Sequence, residues 1–183
     1  MLPLLIILAL ALFIVIFLVS IFNRLAKARV LTEEGWSGIG TFLQQRNDVI
    51  PNLVEVVKGF AGHENKTLID VIKARNESIS ALTPEAQIEA AKHMGQAMLN
   101  FKMLTEQYPE LKTNENFLSL QTKLDEMEEK ISQSRRYYNG TVRDYNQLRV
   151  VFPNNLVATS FGFKAAVFFQ EDIEARTAPK IKF

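Results

Sequence analysis

NENFLSLQTKLDEMEEKISQSRRYYNGTVRDYNQLRVVF, residues 114–152, sets Phe117, Leu120, Leu124, Met127, Ile131, Tyr138, Val142, Tyr145, Leu148 and Phe152 three, four or seven positions apart. Apolar residues at that spacing share one face of an α-helix, whereas a half-buried strand would alternate. The stretch therefore predicts a long amphipathic helix from about Asn114 to Phe152, stopped by Pro153-Asn154-Asn155.

The same period recurs upstream. Ile88, Ala91, Met94, Met98, Phe101, Leu104 and Tyr108 give a third helix that Pro109 stops, and Thr83-Pro84 supplies a cap and a first-turn proline at its start. Leu68, Ile72, Ile79 and Leu82 give a second helix. In the first, Trp36, Leu43, Ile50 and Val57 run beside Ile39, Arg46, Leu53 and Phe60, in phase across Pro51. One helix kinked at Pro51 is expected, because proline removes a backbone donor and clashes with the preceding turn.

Residues 1–22 differ in kind. Only Pro3 and Ser20 are not hydrophobic there, and no charge precedes Arg24. About 20 apolar residues suffice for a helix to cross about 30 Å of hydrocarbon, so a transmembrane helix is predicted. Ala26-Lys27-Ala28 offers a small-x-small cleavage site. The apolar run is nevertheless too long for a signal peptide and lacks a positive leader, so the segment is expected to be retained. Arg24, Lys27 and Arg29 follow it directly, which places the short N-terminus outside and the domain in the cytoplasm, before Glu33 and Glu34 dilute the charge.

The expected fold is all-α: a transmembrane anchor at 1–23, an antiparallel up-down-up-down four-helix bundle with long first and fourth helices at 24–152, and a C-terminal tail with a short helical segment at 153–183. At about 1.5 Å per residue the first and fourth helices reach about 60 Å, against about 27 and 36 Å for the second and third. The membrane-proximal part of the long pair therefore lacks two neighbours, and Tyr138, Val142, Tyr145 and Leu148 need a cover, since open apolar surface costs about 25 cal/mol per Å². The cover is either the tail, Asn154 to Phe183, or the same surface of neighbouring protomers; the tail's Phe161-Gly162-Phe163 and Phe168-Phe169, ahead of the acidic Glu171, Asp172 and Glu174, read as a satellite core over the pair or, more sharply, as a contact with lipid headgroups or another subunit. These residues, Tyr138, Val142, Tyr145, Leu148, Phe161, Phe163, Phe168 and Phe169, form the candidate interface.

Composition removes several functions from the 183-residue chain. Its 21 Lys and Arg balance 20 Asp and Glu, leaving no basic field for nucleic acid. The absence of cysteine excludes disulfides, thiolate nucleophiles and cysteine metal sites. No glycine-rich phosphate loop, Gly-x-Ser-x-Gly elbow, H-E-x-x-H or EF-hand pattern is present. His63-Glu64, with His93 the only other histidine, reads as a polar contact at a helix end, so no catalytic residue, metal or cofactor is expected. Arg46 interrupts the apolar stripe and needs a partner, which Asp125, Glu126, Glu128, Glu129 or a carbonyl freed near Pro51 could each supply. In Arg135-Arg136-Tyr137-Tyr138-Asn139, Tyr138 reads as core and the arginines as a solvated or ion-paired face, with a lipid-headgroup clamp as the sharper alternative. Gly35, Gly38 and Gly40 point to close packing or a bend. Three glycosylation sequons, at Asn65, Asn76 and Asn139, are chance matches for a cytoplasmic domain.

An ordered series of segments resembles the LemA family of bacterial membrane proteins. They are Trp36, Arg46-Asn47-Asp48-Val49-Ile50-Pro51-Asn52-Leu53-Val54, Val57-Lys58-Gly59-Phe60-Ala61, His63-Glu64, Tyr108-Pro109-Glu110-Leu111-Lys112, Arg136-Tyr137-Tyr138-Asn139, Tyr145-Asn146, Phe152-Pro153, Gly162-Phe163, Phe168-Phe169 and Pro179-Lys180-Ile181-Lys182-Phe183. Phe22-Asn23 departs from the Tyr-Asn often found in such proteins. The resemblance implies a single-pass protein of the bacterial cytoplasmic membrane and a helical domain, and brings no defined activity; members are associated with membrane-protein quality control and with shaping specialised membranes. The function expected is a non-enzymatic, self-associating scaffold in contact with membrane lipid, the alternative being a monomeric adaptor for a membrane protease or other membrane protein.

Overall fold

The stripe of the first helix and the apolar run before it merge into one element. In the computed structural model, which describes residues 1–62 and 66–169, helix α1 runs without interruption over Leu2–Ala61. Leu2 to Ser20 is exposed along its whole length, whereas buried residues recur from Ile21 on. The first part of α1 is thus long and apolar enough to cross a membrane, and the described residues bury only 6% of it.

Helix α2 spans Lys66–Ser80, α3 Pro84–Thr105, α4 Glu115–Val150 and α5 Asn154–Ser160, with a 3₁₀ turn at Pro109–Thr113. No strand occurs among the described residues. The boundaries have local causes. Thr83 caps α3 through its Oγ1, which accepts from the Ala86 N–H at 3.2 Å, and Pro84 occupies the first turn. Asn114 does the same for α4, accepting from the Phe117 N–H at 2.9 Å. Helix α3 ends at Thr105, ahead of the expected stop, and Pro109 opens the 3₁₀ turn instead. The Asn154 side chain donates to the Leu148 carbonyl at 3.0 Å, closing the end of α4 while α5 begins.

After α5 the chain reverses at Gly162, whose φ of 71° suits a residue without Cβ. The Phe163 N–H donates to the Ala158 carbonyl at 2.9 Å and the Gly162 N–H to Thr159 at 3.4 Å, the paired bonds of a Schellman stop. Residues 163–169 then run without regular secondary structure.

The chain divides into two compact units. One comprises Met1–Gly38 and Ser134–Phe168; the other comprises Ile39–Gln133 and, of the described tail, Phe169. In the latter, α1 gives Ile50, Leu53, Val54 and Val57, α2 gives Leu68, Val71 and Ala74, α3 gives Met94, Ala97, Phe101 and Leu104, and α4 gives Phe117 and Leu124 to one core, with Leu111 of the 3₁₀ turn fully buried among them. In the former, Ile21 and Leu25 of α1 pack with Tyr145 of α4, Val157 and Ala158 of α5, and Phe163.

Candidate functional site

No group of three or more metal-ligating side chains occurs among the described residues, and His63-Glu64 lies outside them. His93 is exposed on the surface of α3, with Nδ1 2.9 Å from Glu77 and Nε2 3.3 Å from Glu89. The polar side chains that the fold draws inward lie at two other places, one in each unit.

The first surrounds Pro51. A proline cannot donate to the carbonyl four residues earlier, so Asn47 is left with an unclaimed backbone oxygen inside α1. Arg75 of α2 supplies the donor, its Nε lying 2.7 Å from the Asn47 carbonyl. The Asn47 side chain in turn donates to Ser78 Oγ at 3.0 Å. The helix therefore continues through Pro51 with an arginine standing in for the missing amide. The freed carbonyl goes to Arg75, not to Arg46.

Arg46, one turn earlier, is only 1% exposed. Its Nη1 lies 3.2 Å from Glu128 Oε1, and that carboxylate side chain is 45% exposed. Nε and Nη2 of Arg46 make no hydrogen bond. Arg46 is thus neutralised by a carboxylate that keeps one side in water, which spares the carboxylate most of its desolvation cost. Lys130, farther along α4, lies 5.9 Å from the centre of the Phe42 ring. Beside this pair a groove of about 340 Å³ is lined by Leu53, Met98, Phe101, Phe117 and Leu124, with Lys102, Asp125 and Glu128 at its polar margin.

The second place, in the other unit, is the pair formed by α1 up to Gly38 and α4 from Ser134 on. Part of the chain's own tail, residues 163–168, packs over it. Tyr138, Val142 and Tyr145 are buried, and the segment over them is fastened through its backbone. Tyr138 donates its hydroxyl to the Val167 carbonyl at 2.7 Å, and Tyr145 donates to Lys164 at 2.8 Å. Asn146 grips Ala166 twice, donating from Nδ2 to the carbonyl and accepting from the N–H at Oδ1, each at 2.9 Å. A segment outside helix or sheet has unpaired backbone groups, and these three side chains satisfy four of them. Burial raises the Tyr145 phenol above its usual pKa, opposed by the nearby Arg29 and Arg149 and reinforced by Glu33.

The other proposed interface residues divide. Phe163 and Phe169 are buried, Leu148 is partly buried, and Phe161 and Phe168 are exposed. The Phe22 ring meets Phe161 and Phe163 edge-on, at centroid distances of 5.0 and 5.5 Å. Trp36 meets Tyr138 likewise at 5.1 Å. Among the glycines, Gly35 has a packing reason: a Cβ there would lie 3.3 Å from the Tyr137 ring and 3.4 Å from the Tyr138 Cα, whereas Gly38 and Gly40 face open space. Roles for Arg75, Asn146 and Asn154 escape periodicity altogether. Only the missing amide of Pro51 signals that a donor such as Arg75 is required.

Known proteins resemble the chain at about a quarter identity. Magnetosome protein MamQ 2 of Paramagnetospirillum magneticum is 26% identical over 166 residues, covering 76% of this chain and 61% of that protein. Protein LemA of Metamycoplasma hominis is 26% identical over 139 residues, covering 72% and 61%. Magnetosome protein MamQ of Magnetospirillum gryphiswaldense is 22% identical over 161 residues, covering 74% and 59%. The chain spans about three-fifths of the length of the curated relatives it matches. Residues 35–183, which hold the Pro51 site, the α4 part of the tail-covered pair and the tail itself, match the LemA family model, and the chain belongs to the LemA family.

Proposed function

We propose that the protein is a non-enzymatic, single-pass scaffold of the bacterial cytoplasmic membrane that organises membrane or membrane proteins by self-association. The observation that carries this reading is α1 itself: an exposed apolar stretch, Leu2 to Ser20, continues without a break into the helix that supplies the domain core. An exposed apolar surface of that length belongs in lipid. The absence of cations before Arg24 and their cluster at Arg24, Lys27 and Arg29 support an outside N-terminus and a cytoplasmic domain. The shared core of α1 to α4 supports an antiparallel up-down-up-down four-helix bundle. The names of the magnetosome relatives accord with a role at a membrane.

The rival reading, a monomeric adaptor for a membrane protease or other membrane protein, is favoured by one observation. The tail already covers Tyr138, Val142 and Tyr145, so a second copy is not required to bury them. Particle mass in mild detergent, corrected for bound detergent, separates the two. A large discrete particle supports the scaffold, and its persistence without residues 1–22 places the contacts in the domain. A mass near 20.8 kDa overturns self-association and leaves the adaptor.

A further inference from the structure

The end of α4, the corner after it and α5 carry an apolar surface that the fold leaves unused. Val150, Val151, Phe152, Leu156 and Phe161 are exposed, Phe152 at 74% and Phe161 at 63%. Large apolar side chains gathered at one corner mark a contact surface, whereas single scattered ones do not.

Contacts made by α5 and by one side of the Phe161 ring fix the corner's position along α1. Val157 and Ala158 of α5 pack with Ile21 and Leu25, and the Phe161 ring lies against Phe22. The corner therefore lies level with residues 21–25, where the apolar run ends and the first charge, Arg24, appears. Leu25 lies about 5 Å beyond Phe22 along the helix at about 1.5 Å per residue. The polar layer beside the hydrocarbon is itself about 5–8 Å deep on each face. A helix that crosses the bilayer thus carries α5 into the headgroup layer, and the exposed cations Arg24, Lys27 and Lys164 lie nearby in the chain's own unit.

We infer that this corner is a second lipid contact: α5 lies in the interface of the same bilayer that α1 crosses, with Phe152, Leu156 and Phe161 at the headgroup–acyl boundary. Continuity with the apolar stretch, through Phe22, singles out lipid over a second copy of the chain. The inference rests on the reading that α1 spans the bilayer.

The cysteine-free chain allows a direct test. Leu156→Cys and Phe161→Cys, each labelled with a polarity-sensitive fluorophore, are placed as full-length protein in vesicles of equal parts phosphatidylcholine and phosphatidylglycerol, beside Leu12→Cys in the apolar run and exposed Ser119→Cys. Labels at Leu156 and Phe161 are expected to shift to the blue and to lose about half their fluorescence to lipids carrying a shallow nitroxide, while resisting aqueous iodide. The Leu12 label should answer to a deep nitroxide and the Ser119 label to iodide alone. Iodide access at Leu156 and Phe161 with Leu12 still quenched by lipid overturns the corner contact and leaves the span intact. Labels reached by neither quencher are covered by protein, which overturns it equally. A Leu12 label that no lipid quenches removes the span and the inference together. Helicity by circular dichroism checks each variant, and Phe152→Cys replaces one that fails to fold.

Discussion

The unit built around Pro51 and the unit covered by the tail solve the same problem, an apolar helix face, by different means. Around Pro51 the partners are helices, which satisfy their own backbones except at the Asn47 carbonyl, so the core is made of side chains such as Ile50, Leu53, Met94, Phe101 and Phe117. Over the helix pair of the other unit the partner is an irregular segment, and its carbonyls at Lys164, Ala166 and Val167 are met by Tyr145, Asn146 and Tyr138. Aromatic and amide side chains there cover apolar surface and bind backbone at once. Stability in the first unit should therefore follow packing and charge pairing, and in the second it should follow hydrogen bonds to a detachable strap.

The largest break should come from Glu128→Ala. It strands a nearly inaccessible guanidinium, for a loss of about 3 kcal/mol in the Pro51 unit. Arg46→Met should cost about 1 kcal/mol, because it leaves only a carboxylate that already faces water. Denaturant midpoints of the two variants measure the asymmetry, and equal losses would mean that Glu128 is not what holds Arg46. Next comes Asn146→Ala, which removes both bonds to Ala166 and should lower the opening energy of residues 163–167 by about 2 kcal/mol. Amide exchange should speed up there while Leu53 and Phe101 keep their protection.

Alkali sharpens the contrast further. Because burial raises the folded Tyr145 pKa, its contribution is complete below the ordinary value of 10.0 and is lost as pH rises through the folded one. The strap should loosen first on alkaline titration, with Tyr145→Phe flattening that pH dependence, as exchange or limited proteolysis would show. The smallest effect expected is at the glycines: Gly38→Ala should stabilise by up to about 1 kcal/mol, and Gly35→Ala by less, since its methyl would press on Tyr137 and Tyr138. Thermal midpoints distinguish them.

How much of this is legible in the sequence follows the same division. Helices announce themselves by period, so the all-helical class, the stripe of α4 and the Thr83 cap can be read from residues alone. Small core residues cannot: Ala74, Ala90 and Ala97 are buried but carry too little apolar signal to mark a face. Arg46 is legible as a charge in an apolar row, yet choosing Glu128 among four acidic candidates requires the rotation of α4 about its axis. The strap is the least legible part. Phe161-Gly162-Phe163 and Phe168-Phe169 suggest an apolar cover, but nothing periodic tells Phe163, which is buried, from Phe161, which is exposed.

The bond from Arg75 to the Asn47 carbonyl also has a consequence for inheritance. A descendant that exchanged Pro51 for an amide-bearing residue would close the gap from within α1, and Arg75 would then be free to drift. One that lost Arg75 first would carry an open carbonyl in the middle of its longest helix. The two positions should therefore change in a fixed order, proline before arginine, although they are far apart in the chain and neither side chain need touch the other.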